Sequence, residues 1–476
     1  MRSGMDLAIV NGRIVSPTGI TSAALGIHQG KIVAIASGEY LPHADATIDA
    51  AGRHVLPGVL DVHCHEDFPP SPPFAPWSLI AKTESKAAAL GGVTTMGFFT
   101  RPFEGEDIAE ALDVYRSTWE ENAVLDCVFH MMVVNEARKN GMGKLASDHG
   151  ITSFKFLVGY KGPQAAVQGS PGLDDGFIFD GLRRVAQLKK QGWPALAMVH
   201  AENADIIPLL RKEVAGRYDV RAWHDSRPNF VEAECMSRFV YLASIAQCPL
   251  YVVHVTIAEG VDIIARAIAE GKDVIGETCP QYLTHNHDNL TALMNQKPVF
   301  TVVNPPIRAK EDNERLWQGI RDGTITVVAS DTAPNKAALK DVGMWSEGFV
   351  PMGLGANSAL ILPVLLSEGV NKRGLPLERV VEVTAYNPAR YFGLYPAKGT
   401  IEVGSDADIV VVDLDREVTW RPELSPSNVD WSIYDGWHFK GLPVLTIARG
   451  RVVMEERRVV GKPGDGKYIA RKIRQI

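Results

Sequence analysis

Between about Met5 and His54 apolar and polar residues alternate, broken by the turn signals "NGR", "PTG" and "HQGK". A period of two with this punctuation predicts short antiparallel strands. The pattern then changes up to about Arg390. Apolar runs, "VTTMGFF", "SFKFLVGY", "ALAMVH", "LYVVHVT", "DVIGETC" and "ITVVASD", alternate with stretches of helical period such as "VDIIARAIAEG" at 261–271. Strand and helix in alternation predict a parallel sheet with crossover helices, and the number of units suits a closed (β/α)8 barrel of the TIM type. After Leu394 strands return in "KGTIEVGSDADIVVVDLD" and "PVLTIARGRVVMEERRVV". The expected architecture is therefore α/β: a barrel over 58–394, and a small β-sandwich domain built from both chain ends, 1–57 and 395–476, the second part carrying a C-terminal tail.

Composition narrows the setting. With 476 residues, 46% hydrophobic and 22% charged, the chain can build a large core in the ordinary soluble balance. Its formal charge of -7 comes without a basic stripe, which argues against nucleic acid as a partner. The most apolar stretch, "ALILPVLL" at 359–366, is too short for a bilayer and carries a proline, so no membrane partner is expected. The start, "MRSGMDLAIVNGRIV", shows no apolar signal block, and the cytoplasm is the expected location. Cys64, Cys127, Cys235, Cys248 and Cys279 are odd in number, with no C-x-x-C pair, so neither disulfides nor a cysteine zinc knot is expected.

Several apolar runs close on a polar residue, and in a barrel the carboxyl ends of the strands carry the chemistry. "VLDVHCHEDF" places His63 and His65 two apart, on one face of a strand, where both can hold one cation, while Cys64 points the other way. Lys155 sits inside "SFKFLVGY", where a bare ammonium is costly to desolvate unless it snorkels to water. His200 in "MVHAEN", His254 in "VVHVT" and Asp331 in "VVASD" each have a plain reading alone: a hydrogen-bonded core histidine for the first two, a helix cap for the aspartate. Six such residues at the ends of five strands are better explained by one shared site.

The ordered set "PGVLDVHCH", "SFKFLVGY", "HAEN", "VVHVT", "ETCPQYL", "NPPIR" and "SD" resembles the cyclic amidohydrolases, the dihydropyrimidinase and hydantoinase branch of the amidohydrolase superfamily. The resemblance runs from about Asp6 to about Arg471. It implies two divalent metal ions, with zinc the expected metal. His63, His65 and Asp331 would hold the more buried ion and His200 and His254 the other. Lys155 falls on the family lysine that forms a carbamate with carbon dioxide, which turns a buried cation into a bridging anionic ligand. The implied reaction is hydrolysis of a cyclic amide or imide C–N bond, as in a hydantoin or dihydropyrimidine ring. A metal-bridging hydroxide attacks and Asp331 carries the proton to the leaving nitrogen. Tyr160 matches the tyrosine that donates to the developing oxyanion. The implied assembly is a homodimer or homotetramer, and the implied partner is a small cyclic amide.

The chain also departs from that pattern. Glu66 and Asp67 stand where dihydroorotase-like members have an arginine two positions beyond the second histidine, and they would repel a carboxylate substrate. Asn304 replaces the serine whose backbone groups bind the ring, Thr332 replaces a histidine, and "VPMGLGANS" puts Met352 in the place of an asparagine loop in the substrate wall. These changes keep open a hydrolase of a linear amide, urea or thiocarbamate on the same site. A non-catalytic scaffold of this fold would lack metal ligands that are present here. The segments 100–107 and 223–230 lie near strand or helix ends where they could line the pocket, but the simpler reading is loops and caps, and 69–73 reads as a rigid proline-rich loop.

Overall fold

The structure is a computed structural model that describes residues 4–66, 75–100, 107–162, 165, 170–219, 221–294, 298–340, 345, 353–355 and 357–473. Strands β1 (Met5–Ser16), β2 (Gly19–His28), β3 (Lys31–Ala36), β4 (Ala44–Asp49) and β5 (His54–Pro57) lead to eight barrel strands. These are β6 (Val59–His65), β7 (Val93–Thr100), β8 (Asp126–Met132), β9 (Ser153–Leu157), β10 (Leu196–His200), β11 (Leu250–Val252), β12 (Val274–Thr278) and β13 (Ile325–Val328). β14 (Ile409–Thr419), β15 (His438–Ala448), β16 (Arg451–Glu455) and β17 (Arg458–Val459) complete the set.

Each of β6 to β13 pairs in parallel with its sequence neighbour. The seam between the two outer strands is closed by a parallel bridge of Cys64 with Thr332, with the His65 N–H donating to the Thr332 carbonyl at 2.8 Å. Below it, Asp61 accepts from the Ser330 N–H at 3.0 Å and the Ser330 hydroxyl at 2.6 Å. The barrel is filled by Leu60, Val62, Phe99, Met132, Met198 and their neighbours, and a larger apolar layer joins the strands to the outer helices. Burial of each such side chain contributes about 1.5–3 kcal/mol against the entropy of ordering it.

The helix expected over 261–271 spans Ala258–Ala269. Its start is set by Asp312, which accepts from the Ala258 N–H at 2.8 Å from 54 residues away, a cap that no local pattern discloses. Among the described residues no helix is long and apolar enough to cross a membrane. All five cysteines are buried and free.

Both chain ends enter one nine-stranded sheet, ordered β17-β16-β15-β14-β5-β1-β2-β3 with β4 also on β1. Residues of both halves, Ile9, Leu25 and Val55 with Ile409, Val411 and Ile447, share one core. The expectation of short antiparallel strands holds for β1, β2 and β3, but β4 and β5 pair parallel to a 12-residue β1. Parallel pairing requires the chain to cross back between β3 and β4, and the short helical turn Gly38–Tyr40 lies in that connection. Opposite β2, β1 pairs first with β4 and then with β5, the change falling where its register with β2 shifts between Ile9 and Gly12. Beyond β17 the chain leaves the sheet and wedges between the lower ends of β8 and β9. There the Cys127 N–H donates to the Lys467 carbonyl and the Ile469 N–H to the Cys127 carbonyl, both at 2.8 Å.

Candidate active site

In β6, Leu60 and Val62 point into the barrel and Cys64 into the outer layer. Strict alternation would send His63 outward with Val59. Two residues of β6, Val62 and His63, oppose one of β7, Gly97, between the pairs Asp61↔Met96 and Cys64↔Phe98, and this bulge reverses the parity. His63 and His65 therefore both face inward against Phe99, with ring centroids 4.8 and 5.1 Å from it. His63 Nε2 and His65 Nε2 lie 3.0 and 3.2 Å from Asp331 Oδ1. The three ligand atoms fall within 4.8 Å of one another. Asp331 follows β13 in left-handed backbone, φ 53°, and caps no helix, so its capping alternative is set aside.

A second pair faces the first. His200 closes β10, and His254 lies two residues past β11, also left-handed at φ 39°. His200 Nδ1 and His254 Nε2 approach to 2.9 Å, and the His254 and His63 ring centroids are 5.4 Å apart. Lys155, in the middle of β9 rather than at its end, turns into the same space with Nζ 4.7 Å from the Phe99 ring centroid. The Tyr160 ring lies tilted against His200 with centroids 4.9 Å apart, and its hydroxyl accepts from Asn304 Nδ2 at 3.4 Å. The structure thus gathers His63, His65, Lys155, Tyr160, His200, His254, Asn304 and Asp331 into one continuous cluster. Met352, Asp67 and residues 69–73 lie outside the described residues, as do 101–106 of the 100–107 segment, whose Asp107 caps the helix Ile108–Asn122.

Carboxylates behind the histidines fix their rings. Glu277 Oε1 lies 2.6 Å from His63 Nδ1 and accepts the His254 N–H at 3.0 Å, while Oε2 accepts the Tyr251 hydroxyl at 2.7 Å. Glu202 Oε2 lies 2.8 Å from His200 Nε2 and pairs with Arg227 Nη1 at 2.8 Å. A carboxylate on the far nitrogen of an imidazole is the usual partner of a metal-binding histidine, because it sets the tautomer and the ring's aim. Neither glutamate was singled out from sequence, although "ETC" and "HAEN" each set an acid at the end of an apolar run. Residues 223–230, read as loop and cap in preference to pocket lining, back the site through Trp223 and Arg227.

The electrostatics suit cations. Burial lowers His65 to about 4 and also lowers His200 and His254, so these rings are neutral with lone pairs to give. Burial pulls His63 down as well, but Glu277 and Asp331 outweigh it and raise it to about 9, so positive charge is favoured at that point. Burial would raise the Asp331 carboxyl, yet His63 and His65 hold it well below its ordinary value. Burial lowers Lys155 to about 8. His254 Nδ1 is buried with no hydrogen-bond partner among the described residues. Four imidazoles and a carboxylate in one buried space are a donor set for divalent ions such as zinc.

A profile of the Amidohydrolase family matches residues 250–453. The D-hydantoinase of Ralstonia pickettii is 37% identical over 98% of this chain and 99% of its own, and that of Rhizobium radiobacter is also 37% identical with the same coverage. The crystal structure of dihydropyrimidinase from Brevibacillus agri NCHU1002 superposes with a TM-score of 0.89 at 34% identity, over 98% of this chain and 99% of that one. With the barrel, the histidine sets and this full-length likeness in hand, the chain belongs to the amidohydrolase family, in its branch of hydantoinases and dihydropyrimidinases.

Proposed function

We propose that the chain hydrolyses a ring amide or imide of the hydantoin or dihydropyrimidine type, with two divalent ions, zinc by donor type, as cofactors. The observation that carries this reading is the opposition of His63, His65 and Asp331 to His200 and His254 in one buried space, with carboxylates behind the rings. The first three would hold one ion and the last two the other. Lys155 would stand between them as its carbamate, formed when the neutral amine adds to the carbon of CO2, making a C–N bond and releasing one proton. Its burial favours the neutral amine that this step needs. Bound there, the ions would acidify a water and draw electron density from the ring carbonyl.

The chain's own residues do the remaining work. Asp331, ionised and with Oδ1 against the histidines, takes a proton and returns it to the leaving nitrogen. Tyr160 stays protonated because burial pushes its phenol up, so it donates to the oxygen that gains charge. Asn304 and Met352 belong to the ring-binding wall in this reading, and 58–394 is the catalytic unit carried by 1–57 and 395–476.

Metal content of the purified protein, with activity on hydantoins, dihydrouracil, allantoin, cyclic imides and linear ureas, tests the proposal. About two divalent ions per chain and ring opening are expected, and Lys155→Ala loses both, with partial rescue by short carboxylic acids. Fewer than about one ion per chain after supplementation would refute the binuclear reading. Turnover of linear ureas alone would move the substrate to the open-chain class.

A further inference from the structure

Asn304 stands where the branch usually has serine, and in this chain its side chain is engaged at both ends. Its Oδ1 accepts from the indole Nε1–H of Trp223 at 3.0 Å, and its Nδ2 donates to the Tyr160 hydroxyl at 3.4 Å. The same indole N–H also reaches the Val303 carbonyl at 3.2 Å. All three side chains are buried, and the Trp223 ring lies 5.5 Å from the guanidinium carbon of Arg227, which is tied to Glu202.

The chemistry of these groups fixes a direction. An amide can be turned about its last torsion, so nothing in asparagine alone decides which end faces Tyr160. An indole nitrogen only donates, so the end that meets Trp223 must be the oxygen. The NH2 then faces Tyr160 and occupies a lone pair of its oxygen. The phenol hydrogen is left to point elsewhere, toward the histidine cluster that Tyr160 borders through His200. With the amide reversed, the Tyr160 O–H would donate to asparagine and be withdrawn from the site. A serine at this position has one short hydroxyl and cannot span both partners.

We propose that Trp223 is a positioning residue: through the Asn304 amide it orients the Tyr160 hydroxyl as a donor to the reacting carbonyl. This rests on the ring-opening reading above. It makes Trp223 and Asn304 a matched pair peculiar to chains that carry both.

The test uses the full-length metal-loaded enzyme and the ring amide it opens fastest. Trp223→Phe keeps an aromatic side chain but removes the N–H together with the indole's smaller ring, so the Tyr160→Phe background is needed to separate the lost bond from lost packing. It should lower kcat about tenfold with KM within about threefold, and metal content unchanged, as expected for one misdirected hydrogen bond. In a Tyr160→Phe background the same change should cost less than about twofold. Asn304→Asp, which can only accept from Tyr160, should lower kcat at least as far as Trp223→Phe. The double variant Trp223→Phe/Asn304→Ser should recover activity over Trp223→Phe alone. An unchanged kcat in Trp223→Phe, or an equal loss in the Tyr160→Phe background, overturns the proposal.

One readout does not depend on turnover. In protein labelled with 15N-tryptophan, the Trp223 indole signal, identified by its loss in Trp223→Phe, should move in Asn304→Ala. A fixed signal overturns the relay even in an active enzyme. A wild type that opens no ring refutes the reaction, and the signal then decides the relay alone.

Discussion

Glu277→Gln should weaken metal binding without unfolding the barrel. The carboxylate has three donors on it, the His63 ring at 2.6 Å, the His254 N–H at 3.0 Å and the Tyr251 hydroxyl at 2.7 Å, and no exposed surface. Glutamine has nearly the same volume, so packing is kept, but one of its ends donates. With its oxygen toward His63 and His254, its NH2 meets the Tyr251 hydroxyl, which must turn and lose its acceptor; reversed, the NH2 meets two donors. The first arrangement is cheaper. It still exchanges a charge-assisted bond on His63, worth about 1.5–3 kcal/mol, for a neutral one of about 1 kcal/mol. The difference of about 0.5–2 kcal/mol corresponds to about 2- to 30-fold in metal affinity, its upper part overlapping the ~10–100-fold found when such supporting carboxylates are removed. Competition with a chromophoric chelator measures it, and kcat/KM at subsaturating metal should fall in step. Affinity within twofold of wild type would refute the argument that Glu277 aims His63.

Lys398→Met should destabilise the whole chain by about 3–5 kcal/mol, read by chemical denaturation. The buried ammonium joins Asp126 of the barrel at 2.8 Å to Asp408 at 2.7 Å and Asp406 at 3.2 Å, and its loss strands like charges. Gly159→Ala should lower metal loading at least about tenfold, because the new Cβ would lie 2.7 Å from His200 Cδ2 while Glu202 holds that ring. His285 is lowered by burial from 6.5 to about 4, with its bond to the Ile433 carbonyl opposing. Its neutral form is favoured in the fold, so the full stability stands above pH 6.5. About 3 kcal/mol is lost as pH falls from there toward 4, and His285→Gln should show a slope shallower by about one proton in stability measured across that range.

The barrel was legible because its signal is local and repeated: each apolar run is a strand that needs cover on both faces, and the intervening periods of 3.6 supply it. The histidines and Asp331 stood out together, because each has a plain reading alone but their recurrence at the ends of several such runs is better explained by one site. What local reading missed depends on distance along the chain. Asp312 starts a helix 54 residues away, and β4 and β5 lie parallel to β1 because of a crossover, not because of their own residues. Lys155 was expected at a strand end and lies within β9, since nothing in "SFKFLVGY" marks where pairing with β8 and β10 stops. Trp223 read as loop because its partner, Asn304, is 81 residues on.

The site divides by backbone as well as by side chain. His65, Lys155 and His200 sit in strands, whereas His254 and Asp331 lie past β11 and β13 in left-handed conformations that cost a non-glycine residue about 1–3 kcal/mol. Both strained residues are tied to His63, Asp331 within its own set and His254 from the other. His254 gives its N–H to Glu277, which holds His63, and Asp331 Oδ1 lies against His63 and His65. A strand continued in register would carry His254 outward with Val252, and the left-handed backbone at that residue turns it back over the rim, whereas Asp331 keeps the inward phase of Val327 and Ala329. His63 is the common point of these ties, and that is why the carboxylate behind His63 is the position where one conservative substitution should loosen both sets at once.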